Sequence, residues 1–330
     1  MTKQTLKNFS LALGLLGLAL ISSTSWAQVG LASKFPAKRP LSATARAASH
    51  QTKTPGAPSY TYTLLSFPGS LDTFAEGINL GATTSKMEIV GGADQGGFLA
   101  RVSGKKTVTE AYQAVNYPHG SDPQTAAAVN DSGQIVGEYA DYDQGYERSG
   151  GKFTPIAVPF AGALGTFPYG INNSGEIVGG WWDSNTIEHG FTLIGNTYTS
   201  FDYPDGSETG GFGINSAGDI VGAYEDASGV DHGFLLSGGT YTSFNFPGAG
   251  ETDPYAINDS GDIVGLYCTT TECPSGLDGA QGFLLSNGVF TTIAIPGEPI
   301  SYAAGINNNG VIVGTYVDAA GLSVAFMATP

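Results

Sequence analysis

The chain has 330 residues, 13 Lys and Arg against 29 Asp and Glu, and a net charge of −16. All 29 acids lie beyond residue 57, where six basic residues remain and the net is −23; no Lys or Arg follows Lys152. Lacking cations to displace counterions, this part is excluded from sequence-independent binding to phosphate backbones, so nucleic acid is not an expected partner. Forty-nine glycines, three methionines and 13% charged residues describe a turn-rich β protein rather than a helical bundle.

In chain order, Lys3 and Lys7 precede the apolar run Leu11 to Ile21, followed by Ser25-Trp26-Ala27 with small residues where a signal peptidase reads. Residues 1–27 are expected to be a signal peptide, with the mature chain starting at Gln28 and secreted to a bacterial periplasm or medium. The run is shorter than the roughly 20 residues of a membrane-spanning helix and no second one occurs, so no transmembrane segment is expected. Residues 28–57 hold Lys34, Lys38, Arg39, Arg46 and Lys53, three prolines and no acid, the composition of a disordered basic linker.

From residue 58 the pattern Ile-Asn-x-x-Gly-x-Ile-Val-Gly recurs. It runs from Val129 to Gly137, Ile171 to Gly179, Ile214 to Gly222, Ile257 to Gly265 and Ile306 to Gly314, with a looser copy from Ile78 to Gly91. Six Val-Gly anchors define six units of about 43 residues. In the cleanest, Phe212 to Ile214 is a short strand and Asn215 to Gly218 a tight turn. Ile220 to Tyr224, His232 to Leu236 and Tyr241 to Phe246 follow as further strands, separated by Asp226-Ala227-Ser228-Gly229 and Ser237-Gly238-Gly239. Four antiparallel strands in this length make a propeller blade.

The last unit stops after its third strand at Ala325-Phe326, while a lone fourth-strand copy, Tyr60 to Phe67 followed by Pro68-Gly69, stands at the start of the domain. Pairing the two closes a ring and removes an open edge. Residues 58–330 are therefore expected to form an all-β, six-bladed β-propeller of four-stranded antiparallel blades closed by the N-terminal strand. An open β-repeat array is the alternative, and it leaves the split unit without a reason.

The motifs resemble the bacterial extracellular repeats called HAF, after a His-Ala-Phe triad. The triad stands here as His189-Gly190-Phe191 and His232-Gly233-Phe234, is reduced to Gly97-Phe98 and Gly282-Phe283, and ends as Ala325-Phe326. The resemblance covers residues 59–330 and implies an exported β-propeller, with no established chemistry to carry over to any residue.

In a meander blade the second-to-third and fourth-to-next-first loops open on one face, the other turns on the opposite face. The first face carries the irregular loops, and loops that vary on a rigid scaffold are where propellers take ligands. It gathers Asp141, Asp143, Asp183, Glu188, Glu225, Asp226, Asp231, Glu251, Asp253 and Asp318. Carboxylates on adjoining loops can hold calcium, with Asp141 and Asp143 the candidate ligands, though none has EF-hand spacing and Asp is also an ordinary turn residue.

Tyr139, Trp182, Tyr224, Tyr267 and Tyr316 read as one position of the second strand, and Tyr169, Phe212 and Tyr255 as one position of the first; such repetition favours packing between blades. Trp181 then stands apart, opposite Glu138, Ala223, Leu266 and Thr315, and is open to two readings, burial or stacking on a sugar or peptide. The candidate ligand-binding set is Trp181, Trp182, Tyr224, Asp183, Asp226 and Asp231.

His189 and His232 share a repeat position and read as structural caps. No Ser-His-Asp order, zinc spacing, P-loop or dinucleotide motif is present. The expected function is non-enzymatic: a monomer that binds a glycan, peptide or surface partner on the variable-loop face, with no cofactor unless calcium. A glycan-cleaving enzyme using loop carboxylates is the alternative, because such pairs need no local motif. Cys268 and Cys273, the two cysteines of the chain, are expected to form a disulfide pinning the enlarged loop of the fifth unit.

Overall fold

A computed structural model describes residues 60–81, 87–102, 111–118, 124–139, 144–269 and 279–330. The expected signal peptide and linker lie outside the described residues. Twenty-four strands form six separate four-stranded antiparallel sheets, and no helix occurs among the described residues. Blade six draws its outermost strand, β1 (Thr61–Leu65), from the start of the domain. Blade one is β2 (Thr73–Ile78), β3 (Met87–Ala93), β4 (Gly96–Val102) and β5 (Ala111–Ala114), and blade two is β6 (Thr125–Val129), β7 (Ile135–Tyr139), β8 (Gln144–Ser149) and β9 (Lys152–Ile156). Blade three is β10 (Gly165–Ile171), β11 (Ile177–Trp182), β12 (Glu188–Ile194) and β13 (Thr197–Phe201), and blade four is β14 (Glu208–Ile214), β15 (Ile220–Glu225), β16 (Asp231–Ser237) and β17 (Thr240–Phe244). Blade five is β18 (Glu251–Ile257), β19 (Ile263–Cys268), β20 (Gln281–Ser286) and β21 (Val289–Ile293); blade six completes itself with β22 (Ile300–Ile306), β23 (Ile312–Val317) and β24 (Ser323–Thr329).

Closure is made by β1 against β24, in register from Thr61 opposite Thr329 to Leu65 opposite Ala325. Leu65, Val313 and Ala325 then pack with Ile89, Phe98 and Ala75 of blade one, so the ring closes on a continuous apolar interface. The six-bladed propeller is the architecture of this chain, and the open array is set aside.

Burial falls from the axis outward: β10 and β14 are buried at all seven positions, whereas outermost β17 has none buried. This explains where sequence reading shortened the inner strands. β14 begins at Glu208, four residues before Phe212, because a strand enclosed on both faces need not alternate, and Gly210-Gly211 reads as loop.

The repeated motif is explained by two close approaches. A Cβ on the anchor glycines Gly179 or Gly222 would stand 2.0 Å from the carbonyl oxygen of Phe167 or Gly210 on the paired inner strand. The motif asparagines form a belt from blade two to blade six. Asn172 Oδ1 accepts from the backbone N–H of Ser174 and Glu176, both at 3.0 Å, closing its own turn, and its Nδ2 donates to the carbonyl of Asn215 on the next blade at 3.0 Å. The same reach joins Asn130 to Asn172, Asn215 to Asn258 and Asn258 to Asn307. One buried amide thus satisfies a hairpin and ties two blades.

Replacing Asn172 by Ala leaves the part-buried backbone N–H groups of Ser174 and Glu176 without their acceptor, removes the tie to blade four, and is expected to lower stability by about 2–3 kcal/mol. Ser174→Ala, at an exposed position of the same turn, is expected to stay within about 0.5 kcal/mol of wild type. Equal midpoints for the two variants in urea denaturation would remove the belt from the account.

Candidate functional site

Each inner strand carries a β-bulge at the same place, and the bulged residues Glu76, Ala127, Tyr169, Phe212, Tyr255 and Ala304 line the central channel. Their aromatic members plug it. Ring centroids stand 5.3 Å apart for Tyr169 and Phe212, 5.9 Å for Phe212 and Tyr255, and 6.2 Å for Tyr255 and Tyr302. The remaining cavity is about 50 Å³, room for a few waters and far below the roughly 300 Å³ of a small-molecule pocket. Glu76 sits in this plug with its carboxyl pushed up to about 8 by burial, an effect the Tyr302 hydroxyl bonded to it partly offsets. A ligand larger than water is not accommodated in this channel.

One rim is strongly acidic. Where β16 starts, Asp231 meets Glu251 and Asp253 of β18, the inner strand of the next blade; all three are buried, with carboxylate oxygens within 4.8 Å of one another. Burial first, then the charges of Asp253 and Glu251, hold the Asp231 carboxyl well above the usual carboxylate range. Burial and the Glu251 charge do the same to Asp253. One blade earlier, Glu188 of β12 meets Glu208 of β14. Burial, then the Glu208 charge, pushes Glu188 up to about 8, and both its oxygens lack a hydrogen-bond partner among the described residues.

The same face carries Asp94, Asp183, Asp205, Asp226, Glu298 and Asp318 in its loops and Glu225 at the end of β15, together with Leu71 and Leu164, 71% and 56% exposed. The three basic residues among those described, Arg101, Arg148 and Lys152, flank the third-to-fourth-strand turns on the opposite face.

The structure redistributes the sequence candidates. Strand pairing places Trp181 opposite His189, as Tyr224 lies opposite His232 and Tyr267 opposite Gln281. Trp181, not Trp182, is therefore the counterpart of Tyr139, Tyr224, Tyr267 and Tyr316, and the register in which Trp181 stood apart is off by one residue. Counting from the anchor glycine, two residues on in every case, shows this in the sequence too. Trp181 Nε1 donates to Ser200 at 3.0 Å as the Tyr224 hydroxyl meets Ser243 at 3.1 Å, and the ring is wedged between Phe160 and His189, 8% exposed. It is buried structure, not a stacking platform. Trp182 is the odd member: it turns toward the axis and packs on Phe167 at 4.7 Å. Tyr224 is stacked on Tyr203 at 3.6 Å.

Asp183 and Asp226 close turns. Asp183 Oδ1 accepts from Asn185 and Ile187, and these backbone hydrogen bonds hold its carboxyl below the usual range. Asp226 Oδ1 accepts from Ser228 and Val230, while Oδ2 meets His232 Nε2 at 3.1 Å, the first cause of its lowered pKa. The two histidines are held on both blades, His189 by Asp202 at 2.8 Å and His232 by Asn245 at 3.1 Å.

Of the ligand set, only Asp231 enters the carboxylate cluster. Its partners Glu251 and Asp253 belong to the acidic face but not to the candidate ligand set; the signal in the sequence is the repeat spacing, with Glu188 and Asp231 both nine residues after their anchors and Glu208 and Glu251 both fourteen before theirs. Asp141 and Asp143 lie outside the described residues. Cys268 ends β19 buried, and Cys273 lies outside the described residues.

No protein-family model matches the chain, and no curated protein sequence does. Solved structures resemble it in fold. A catalytically inactive virginiamycin B lyase from Staphylococcus aureus is 12% identical over 82% of this chain and 99% of its own, with a TM-score of 0.46. AofleA from Arthrobotrys oligospora, as a mutant, is 13% identical over 86% and 90%, TM-score 0.49. Aleuria aurantia lectin in complex with Fucα1-6GlcNAc is 11% identical over 78% and 93%, TM-score 0.48. A lyase and a lectin at such identities say nothing of this chain's activity; the propeller rests on the chain's own strand pairing.

Proposed function

We propose that this chain is an exported, non-enzymatic binding propeller that holds a basic peptide or the basic surface of another protein across its acidic rim. The observation that carries the reading is the uneven distribution of charge between the two faces. More loop and channel-mouth carboxylates lie on the variable-loop face than on the other, and every described Lys and Arg lies toward the opposite face, beside turn carboxylates such as Asp131, Glu176, Asp219 and Asp259. Such a field draws cations and sets association rates more than it adds affinity. Exposed Leu71 and Leu164 on this rim favour a ligand with apolar side chains among its charges. Glycan cleavage is disfavoured because the up-shifted acids that meet a second carboxylate, Glu188 beside Glu208 and Asp231 beside Glu251 and Asp253, are all buried and closed to a polymer.

The test is fluorescence anisotropy with labelled Lys/Leu and Glu/Leu octapeptides, and a glycan array as the competing arm. The basic peptide is expected to bind and to weaken roughly tenfold from 50 to 300 mM salt. Asp205→Lys combined with Glu298→Lys, both in loops of this face, is expected to weaken it further. Salt-independent glycan binding with no response to the basic peptide would overturn the reading.

A further inference from the structure

We propose that Asp231, Glu251 and Asp253 form a calcium site that fastens blade four to blade five. The three belong to two different sheets. Asp231 opens β16, and Glu251 and Asp253 stand two apart on β18, so their side chains share one side of the strand. Their carboxylate oxygens lie within 4.8 Å of one another, close enough for one ion at the 2.3–2.6 Å distances of calcium–oxygen coordination. Asp231 Oδ1 is buried, belongs to this cluster and has no hydrogen-bond partner among the described residues, an acceptor that a protein interior normally satisfies.

No Lys or Arg exists on blades three to six to neutralise the group, since none follows Lys152 in the chain. Three carboxylates offer at most six oxygens, all hard donors, which select calcium over the softer transition metals.

Repeat geometry makes the site particular to this interface. The three positions are occupied at the blade three–four interface by Glu188, Glu208 and Gly210, at five–six by Ala280, Ile300 and Tyr302, and at six–one by Ser323, Asp72 and Phe74. Only between blades four and five, among these, do three carboxylates meet. The site does not depend on the basic-peptide reading, because an ion here neutralises buried groups and leaves the loop carboxylates of the rim untouched.

The test uses the full secreted chain, stripped with chelator and titrated with calcium chloride by calorimetry at pH 7.5, with thermal denaturation in parallel. One calcium per chain and a melting temperature that rises with calcium concentration are expected, since an ion bound only by the folded state stabilises it by mass action. Asp253→Asn is expected to weaken binding by roughly a hundredfold and abolish the thermal response, yet to melt at or above calcium-free wild type because one buried charge is gone. Glu188→Gln, at the neighbouring interface, is expected to keep the full response. No binding heat together with unchanged melting overturns the site, as does a calcium response in Asp253→Asn equal to that of wild type.

Discussion

Removing residues 60–67 is expected to abolish the native propeller rather than merely loosen it. That segment contains β1, which supplies the five-residue pairing with β24 and buries Tyr60, Tyr62 and Leu65. Burying those three side chains is worth on the order of 6 kcal/mol, and the lost ladder and the interface with blade one add to it. A sum of this size is comparable with the 5–15 kcal/mol that holds a typical domain folded. The truncated chain would also expose the edge of β24, seven residues long and including Val324, Ala325, Phe326 and Met327, a template for pairing between molecules.

Size-exclusion chromatography with light scattering should show aggregates, and circular dichroism should show no cooperative melt near the wild-type midpoint. Placing residues 60–67 after Pro330 through a short Asn-Gly turn would build the hairpin the other five blades already have, and should restore both. A truncated protein that stays monomeric with unchanged melting would count against closure by β1.

In the presence of chelator, the protein is expected to lose stability as pH rises from about 5 to 8, the reverse of a fold held by ionised carboxylates. Glu76 and Glu188 are each pushed up to about 8 from an ordinary 4.5, in both cases chiefly by burial. Below 4.5 both the folded and unfolded states hold the proton and no penalty arises. Between 4.5 and 8 the unfolded chain has released it and the folded chain has not, so each pH step favours unfolding. Above 8 the loss is complete. Each group is expected to account for roughly 4–5 kcal/mol across the window.

Glu76→Gln is the discriminating variant. It retains a partner for the Tyr302 hydroxyl, removes the ionisable group from the plug, and should match wild type at pH 5 while exceeding it at pH 8. Chemical denaturation at the two pH values measures this directly. Parallel wild-type and Glu76→Gln curves across the range would show that the carboxyl does not change charge in the channel.

The sequence alone determined what short-range physics writes into every unit. A turn needs glycine at positive φ, as at Gly175 and Gly218, and an alternating strand shows its period, so blade count, hairpin positions and the split sixth blade were legible from spacing. The shared repeat position of His189 and His232 was legible for the same reason, and their hydrogen bonds to Asp202 and Asn245 repeat in the structure. What the sequence obscured were features set by neighbouring blades. Inner strands β10 and β14 are buried on both faces and lose their alternation, so their first residues read as loop and the bulges that aim Glu76 and Tyr169 into the axis left no local mark. The register at Trp181 is a different case: adjacent tryptophans are interchangeable in composition, but counting two residues on from the anchor glycine already groups Trp181 with Tyr224, and its pairing with His189 agrees. Asp231 and Asp253 stand 22 positions apart and in different sheets; only the closed ring, turning one blade's third strand against the next blade's innermost one, makes them neighbours and shuts them away from water together with Glu251.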